Sequence, residues 1–259
     1  MLDRQAVAPQ WIALGRGFLG TSAFVLTLLI LWEYLINSFN VPPFVMPAPA
    51  EVLTSFREDF DRISEALVFT LRSGVIGLIC ATILALILAA SFAASDLLSR
   101  AFLPLVIFVR TAPVLAIAPI LILIFGRGVA TSVVVVIIVA FFPIMVNALR
   151  GFRTVEHSML ELMHVCGASR PQVFLKIRLP SSLPFIFTGL RAASASSLLA
   201  VMLAEWLSVD PGLGTLILKA NSYRELGLLW AAVLTTMATA FVIFATFASL
   251  ERRLARWSI

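Results

Sequence analysis

The residue types that carry catalysis or metal binding are sparse in this chain. His157 and His164 are the only histidines, seven residues apart on one short stretch, with Cys166 close behind the second. No further ligand completes a metal or nucleophile set at a usable spacing, so solvated surface positions account for both rings. No G-x-x-x-x-G-K-[ST] loop cradles a phosphate, and neither a G-x-S-x-G turn nor a paired-carboxylate arrangement occurs. The chain is therefore expected to be no enzyme, to hold no metal or cofactor and to hydrolyse no nucleotide itself. Two features stand out instead. One is a polar, basic, glycine-broken stretch from Glu161 to Pro180, ELMHVCGASRPQVFLKIRLP; the other is a set of charges inside apolar segments, Glu33, Arg110, Arg191 and Glu205.

A bilayer must position both. The 259 residues are 61% hydrophobic and 13% charged, against about 25% charged in soluble domains. A hydrocarbon core of about 30 Å needs roughly 20 apolar residues per helix. Uncharged runs from Ser73 to Ser95, Val129 to Leu149 and Leu226 to Leu250 supply three such helices. Interrupted or shorter segments from Gly17 to Ile36, Ala101 to Phe125 and Leu183 to Leu207 bring the expected count to six. Residues 1–259 thus read as one all-α transmembrane domain, with a cytoplasmic hairpin, 150–182, inside it. The first apolar run is long enough to span and is followed by no small-residue cleavage site, so it reads as a retained span.

Six spans put both termini on one side. That side collects eleven Lys and Arg residues, including Arg150, Arg153, Arg170, Lys176, Arg178, Arg252 and Arg253, whereas the other collects six and an acidic first loop with Glu51, Glu58, Asp59, Asp61 and Glu65. The bias predicts cytoplasmic tails and a cytoplasmic Glu161 hairpin. It also accounts for the formal charge of +5 without nucleic acid. Cys80 falls in a span and Cys166 in the hairpin, so no disulfide is expected.

Within the hairpin, Met159, Leu162, Met163 and Cys166 recur at helical spacing, with Glu156, His157, Glu161 and His164 mostly opposite. Gly167 suits a left-handed cap that ends this helix, and Ser169 followed by Pro171 suits the start of another. Val173, Phe174 and Ile177 then form a narrow apolar stripe among Arg170, Lys176 and Arg178, and Leu179-Pro180 is expected to end the element and turn the chain into the fifth span. The pattern itself fits two roles: a helix pair lying on anionic headgroups, or a docking surface for a soluble partner.

Glu161, Gly167, Ile177, Leu179 and Pro180 have the spacing of the cytoplasmic loop of permease subunits of ATP-binding-cassette importers, with Leu162 and Met163 where that pattern has two alanines. The similarity extends through FVMPAPAEVL (Phe44 to Leu53), RTAPVLAIAPILILIFG (Arg110 to Gly126), FFPIMVNALRGFRTV (Phe141 to Val155), AEWLSVDPGLG (Ala204 to Gly214) and LERRLARW (Leu250 to Trp257). The chain resembles the nitrate, sulfonate, taurine and bicarbonate branch of these permeases, a branch that also includes uptake systems for thiamine precursors and other heterocycles. The resemblance implies a type I importer permease (MetI-like) fold in a bacterial inner membrane. It also implies a second permease copy, two cytoplasmic ATPase subunits binding ATP and magnesium, and an extracytoplasmic binding protein that delivers the solute. It casts Glu161, Leu162, Met163, Gly167, Ala168, Ile177, Leu179 and Pro180 as the ATPase-coupling residues. A secondary transporter would instead need repeats and a midplane ion site, and a membrane scaffold would leave the extended similarity unexplained.

The remaining expectations concern the pathway. Ser194 and Ser197 belong to a run of small residues, Ala192 to Ser197, that suits either a pathway wall or close helix packing. Glu205, near the outer end of the fifth span, is expected to shape an outer gate or to be an interfacial carboxylate. Arg110 is read as support for the backbone near Pro113, and Arg191 as an anion contact or a partner of Glu205 or a carbonyl, with a direct pair to Glu205 excluded by about 21 Å of helix. A short re-entrant segment is expected after Pro211, Gly212 and Gly214.

Overall fold

Small residues at every fourth position set the architecture. The computed structural model describes residues 26–43, 45–111 and 113–254. Among them the helices are α1 (Leu26–Ser38), α2 (Pro49–Glu58), α3 (Phe60–Ala94), α4 (Asp96–Thr111), α5 (Val114–Phe125), α6 (Val129–Arg153), α7 (His157–Val165), α8 (Arg170–Val173), α9 (Leu179–Ser208), α10 (Leu213–Ser222) and α11 (Leu226–Leu254). A five-residue π-helical segment, Phe174–Arg178, joins α8 to α9.

Along α3 the buried stripe reads Ser73, Gly77, Ala81, Ala85 and Ala89; along α6, Ser132, Val136, Ala140, Ile144, Ala148 and Phe152; along α9, Gly189, Ala193, Ser197, Val201 and Glu205. Residues four apart form one ridge of a helix, and small ones lower that ridge until two backbones nearly touch. A Cβ built on Gly77 would lie 2.6 Å from Val136 Cβ, and one on Gly189 would lie 3.0 Å from Ile144 Cα and from the Pro143 oxygen. Lipid tails are as apolar as the side chains, so this intimacy of packing, and not removal of apolar surface from water, holds α3, α6 and α9 together. A second cluster, around Val52, Ile63, Leu213, Leu216 and Leu228, gathers α2, α3, α10 and α11 at one end.

Among the described residues four helices are long and apolar enough to cross a membrane unbroken: Phe60–Ala94, Val129–Arg153, Arg170–Ser208 and Leu226–Leu254. Two of the six expected spans do not appear as one long helix among the described residues. The third, Ala101 to Phe125, is two helices, because Pro113 stands with extended backbone at the start of α5 and can supply no N–H to continue α4. The first part of the Gly17 to Ile36 span lies outside the described residues, and the rest falls in α1. The fifth span also begins earlier than expected. Leu179-Pro180 does not end the hairpin: the Leu179 N–H donates to the Phe174 carbonyl five residues back. This wider turn carries the helix past the missing proline donor without a break.

The tight α3–α6 contact generates the first prediction. Gly77→Ala drives a methyl into Val136, whose branched side chain has little freedom to yield, at a cost of about 1–3 kcal/mol. It should lower the unfolding temperature of the detergent-solubilised protein. Gly74→Ala, with Val201 Cγ2 at an ordinary 3.5 Å, should leave that temperature unchanged, and equal values for both variants would refute the packing account.

Candidate functional site

Two candidate sites lie at opposite ends of the helices. At the end where α3 and α6 finish, α7 projects with no residue buried against the rest of the chain. Its C-terminus closes in a Schellman motif: the Ala168 N–H donates to the Met163 carbonyl and the Gly167 N–H to the His164 carbonyl, both at 3.0 Å, with Gly167 at φ +69°. The Ser169 backbone N–H donates to the Gln172 side-chain oxygen at 2.8 Å and Pro171 sits in the first turn of α8. Helix stop and restart therefore match the expectations for Gly167, Ser169 and Pro171. The Phe174 ring packs 5.1 Å from Phe152, and the Arg178 guanidinium donates to the Ala93 carbonyl at 3.0 Å. Arg153 donates to the Phe92 carbonyl at 3.1 Å and reaches Asp96. The hairpin base is thereby bolted to α3, α4 and α6.

Of the residues expected to couple, Glu161, Leu162 and Gly167 are exposed, whereas Met163, Ala168, Ile177, Leu179 and Pro180 are half-buried. Glu161 pairs with His157 across one turn at 3.2 Å, an exposed contact of little energetic weight. Leu162 and Val165 are 58% and 83% exposed, so α7 presents apolar side chains that this chain leaves uncovered.

At the other end Glu205 is fully buried. Its carboxylate accepts the Thr70 hydroxyl at 2.7 Å and the Gly214 N–H at 2.8 Å, and Thr70 Oγ1 in turn accepts the Leu213 N–H at 2.9 Å. A carboxylate and a hydroxyl thus satisfy two free donors in the first turn of α10, where the helix dipole also favours negative charge. Thr215 donates to the Glu205 carbonyl and Trp206 Nε1 to the Gly214 carbonyl. The nearby Asp210 carboxylate accepts from the Gly128 N–H and the Ser208 hydroxyl. Gly212 has to be glycine, because a Cβ there would lie 2.1 Å from the Glu205 carboxylate. The segment expected to be re-entrant folds as the short helix α10, and Glu205 latches it to α3 and α9. It is neither an interfacial carboxylate nor open to a pathway in this conformation.

Ser194 and Ser197 are buried and donate to carbonyls of their own helix, Arg191 and Ala193. They line an apolar cavity of about 160 Å³ with Thr70, Gly74, Leu78 and Phe247. That volume is smaller than ligand pockets, which run from about 300 Å³, so in this conformation the small-residue run packs helices. Arg191 meets neither Glu205 nor a backbone carbonyl but pairs with Glu251 of α11 at 3.2 Å. Arg110 lies over the Phe142 ring, 4.4 Å from its centre, and among the described residues it braces no backbone carbonyl near Pro113. Sequence reasoning missed Thr70 and Asp210, and no spacing links Thr70 to Glu205 or Leu213, or Asp210 to Gly128; only the Pro-Gly-Leu-Gly run hinted that a helix start needed capping here.

Comparison with known proteins fits this geometry. Residues 81–256 match the family described as the binding-protein-dependent transport system inner membrane component, and the chain belongs to that family. It is 30% identical over 244 residues to the riboflavin transport system permease protein RibX of Chloroflexus aurantiacus, covering 92% of this chain and 90% of that one. It is 29% identical over 239 residues to the formylaminopyrimidine transport permease protein ThiX of Halalkalibacterium halodurans, covering 90% and 94%. The taurine transport system permease protein TauC of Escherichia coli is 25% identical over 246 residues, covering 92% and 88%. A crystal structure of an amino acid ABC transporter with histidines shares the fold, with a TM-score of 0.57 at 15% identity over 78% of this chain and 97% of that one. The protein is a multi-pass membrane permease subunit of an ABC importer, with a MetI-like all-helical fold.

The α10 latch yields a prediction. Thr70→Val leaves the Leu213 N–H and one Glu205 oxygen without partners, a loss of about 1–3 kcal/mol, and amide exchange at Leu213 and Gly214 should quicken accordingly. Glu205→Gln should act in the same direction, since an amide NH₂ cannot accept the hydroxyl or the N–H that the lost oxygen held. Unchanged exchange in both variants would remove the latch.

Proposed function

We propose that two identical copies of this chain form the translocation pathway of an ATP-driven importer in a bacterial inner membrane, with both termini cytoplasmic. The α7 hairpin docks into a cytoplasmic ATPase subunit, one hairpin per ATPase, and ATP with magnesium is bound and hydrolysed there. An extracytoplasmic binding protein delivers the solute at the α10 end. The observation that carries this reading is the Schellman-closed α7, which leaves its apolar side chains uncovered while its base is pinned to α3 and α6. A helix free of the chain's own core, on a base that cannot swivel, suits the transfer of a partner's movement to the spans. Charge agrees: the α7 end carries Arg100, Arg150, Arg153, Arg170, Lys176, Arg178, Arg252 and Arg253, as a cytoplasmic face should.

For the solute, the reading is a small organic or inorganic anion of the nitrate, sulfonate or taurine type. A second reading, an aromatic heterocycle such as a thiamine precursor, is supported by the riboflavin and formylaminopyrimidine permeases being slightly more similar than the taurine one. In either case the latched α10 and Glu205 would act as an outer gate that responds to the docked binding protein.

Coupling is tested at Gly167. Nothing lies within 4 Å of a Cβ there, so substitution strains only the left-handed backbone, at about 1–2 kcal/mol for an ordinary L-residue. In proteoliposomes holding permease, ATPase and binding protein, Gly167→Val should keep ATP hydrolysis but lose most uptake, whereas Gly167→Asn, which tolerates this conformation, should retain both. Normal uptake by Gly167→Val would contradict the coupling role.

A further inference from the structure

Of the charges inside apolar segments, Glu205, Arg191 and Arg110 lie in the packed helices α9 and α4, and the structure disposes of the first two. Glu205 is satisfied by the donors around it. Arg191, thirteen residues beyond Arg178 on an unbroken helix, is neutralised by Glu251. Arg110 is different. It is exposed on the surface of the chain, and among the described residues no carboxylate lies within ion-pairing distance of it. Its depth can be read from the ring beneath it, since Phe142 stands thirteen residues from Val129 and eleven from Arg153, the two ends of α6. At 1.5 Å per residue those stretches are about 20 and 17 Å, which sets the guanidinium near the middle of a hydrocarbon layer about 30 Å thick.

A bare guanidinium facing lipid at that depth costs more than one aromatic ring returns. An arginine too short of partners to be structural and too deep to snorkel therefore faces water or another protein surface. The geometry points to Arg110 as an anion-binding residue of the translocation pathway, taking the oxyanion group of the solute, a sulfonate, carboxylate or nitrate, at mid-membrane. The inference rests on the importer reading above and names the chemistry of its solute. Phe142 holds the guanidinium from behind, leaving the N–H fork free, and that fork matches two oxygens of one anion. Arg110 lies in the last turn of α4, which ends at Thr111, so the cation sits at the edge of the break between α4 and α5. Pairing of identical chains would bring a second Arg110 to the same passage, and one forked contact per chain holds an anion without trapping it.

The test needs no knowledge of the solute. In membrane vesicles carrying the permease with its ATPase subunits, and with Cys80→Ser and Cys166→Ser to clear the background, Arg110→Cys is exposed to two water-soluble thiol reagents. These are sulfonatoethyl methanethiosulfonate and its trimethylammonium analogue, their rates scaled to those with a free thiol. Thr111→Cys, exposed beside it, is treated likewise with Arg110 intact and with Arg110→Gln. The expected result is reaction of Arg110→Cys with both reagents, and at Thr111→Cys a preference for the sulfonate reagent of about tenfold or more that Arg110→Gln abolishes. Failure of Arg110→Cys to react with either reagent would put the side chain against lipid and overturn the inference. A preference unaltered by Arg110→Gln would overturn anion recognition and favour a neutral heterocycle. Retention of the ATPase by the same vesicles is scored separately, so loss of the importer reading is distinguished from loss of the arginine site.

Discussion

The rest of the structure depends on how closely α3, α6 and α9 approach. In a bilayer no gain from leaving water drives helices together, so contact distance decides the strength of association. The stripes Ser73-Gly77-Ala81-Ala85-Ala89 and Gly189-Ala193-Ser197 remove side-chain bulk where α6 crosses. This three-helix body is stiff because the α3 and α9 faces of its seams carry small side chains that have little room or freedom to rearrange. Stiffness is what lets a force applied at one end be felt at the other.

The helix from Arg170 to Ser208 makes that connection concrete. One end is the second half of the hairpin, fixed to α6 by the Phe174–Phe152 contact and to α3 by Arg178. The other end carries Glu205, which holds the first turn of α10. A tilt of this rod moves the hairpin base and the opposite latch together. The π-helical turn before Pro180 keeps the rod continuous where a proline would otherwise have broken it. Two polar networks, one at each end, thus share one mechanical element, and the spans between them are packed by residues with little freedom.

What the sequence made legible follows the range of each interaction. The stop at Gly167 and restart at Ser169 and Pro171 rest on contacts within a few residues, and both were readable. The four-residue stripes were readable in principle, yet attention to Ala192 to Ser197 as a wall hid the longer register that includes Gly189 and Val201. Pro113 marks in the sequence a place where a helix loses a donor, but whether a proline bends, breaks or is bypassed depends on the carbonyls around it. The opposite outcome at Pro180 shows the same residue type absorbed by a wider turn. Glu205 drew notice for its charge, while its partner Thr70 lies 135 residues away, a pairing that only the packed helices create.

The central claim is that this chain is one of two identical halves of a pathway, each engaging one ATPase through its α7 hairpin. The mass of the detergent-solubilised complex, assembled with its ATPase and measured intact, tests this most directly. The account predicts two copies of this 28.2 kDa chain with two ATPase subunits, and loss of the ATPases when Leu162 and Val165 are both replaced by Asp. A single permease copy beside a pair of ATPases with no second permease, or full retention of the ATPases by the doubly substituted chain, would contradict it.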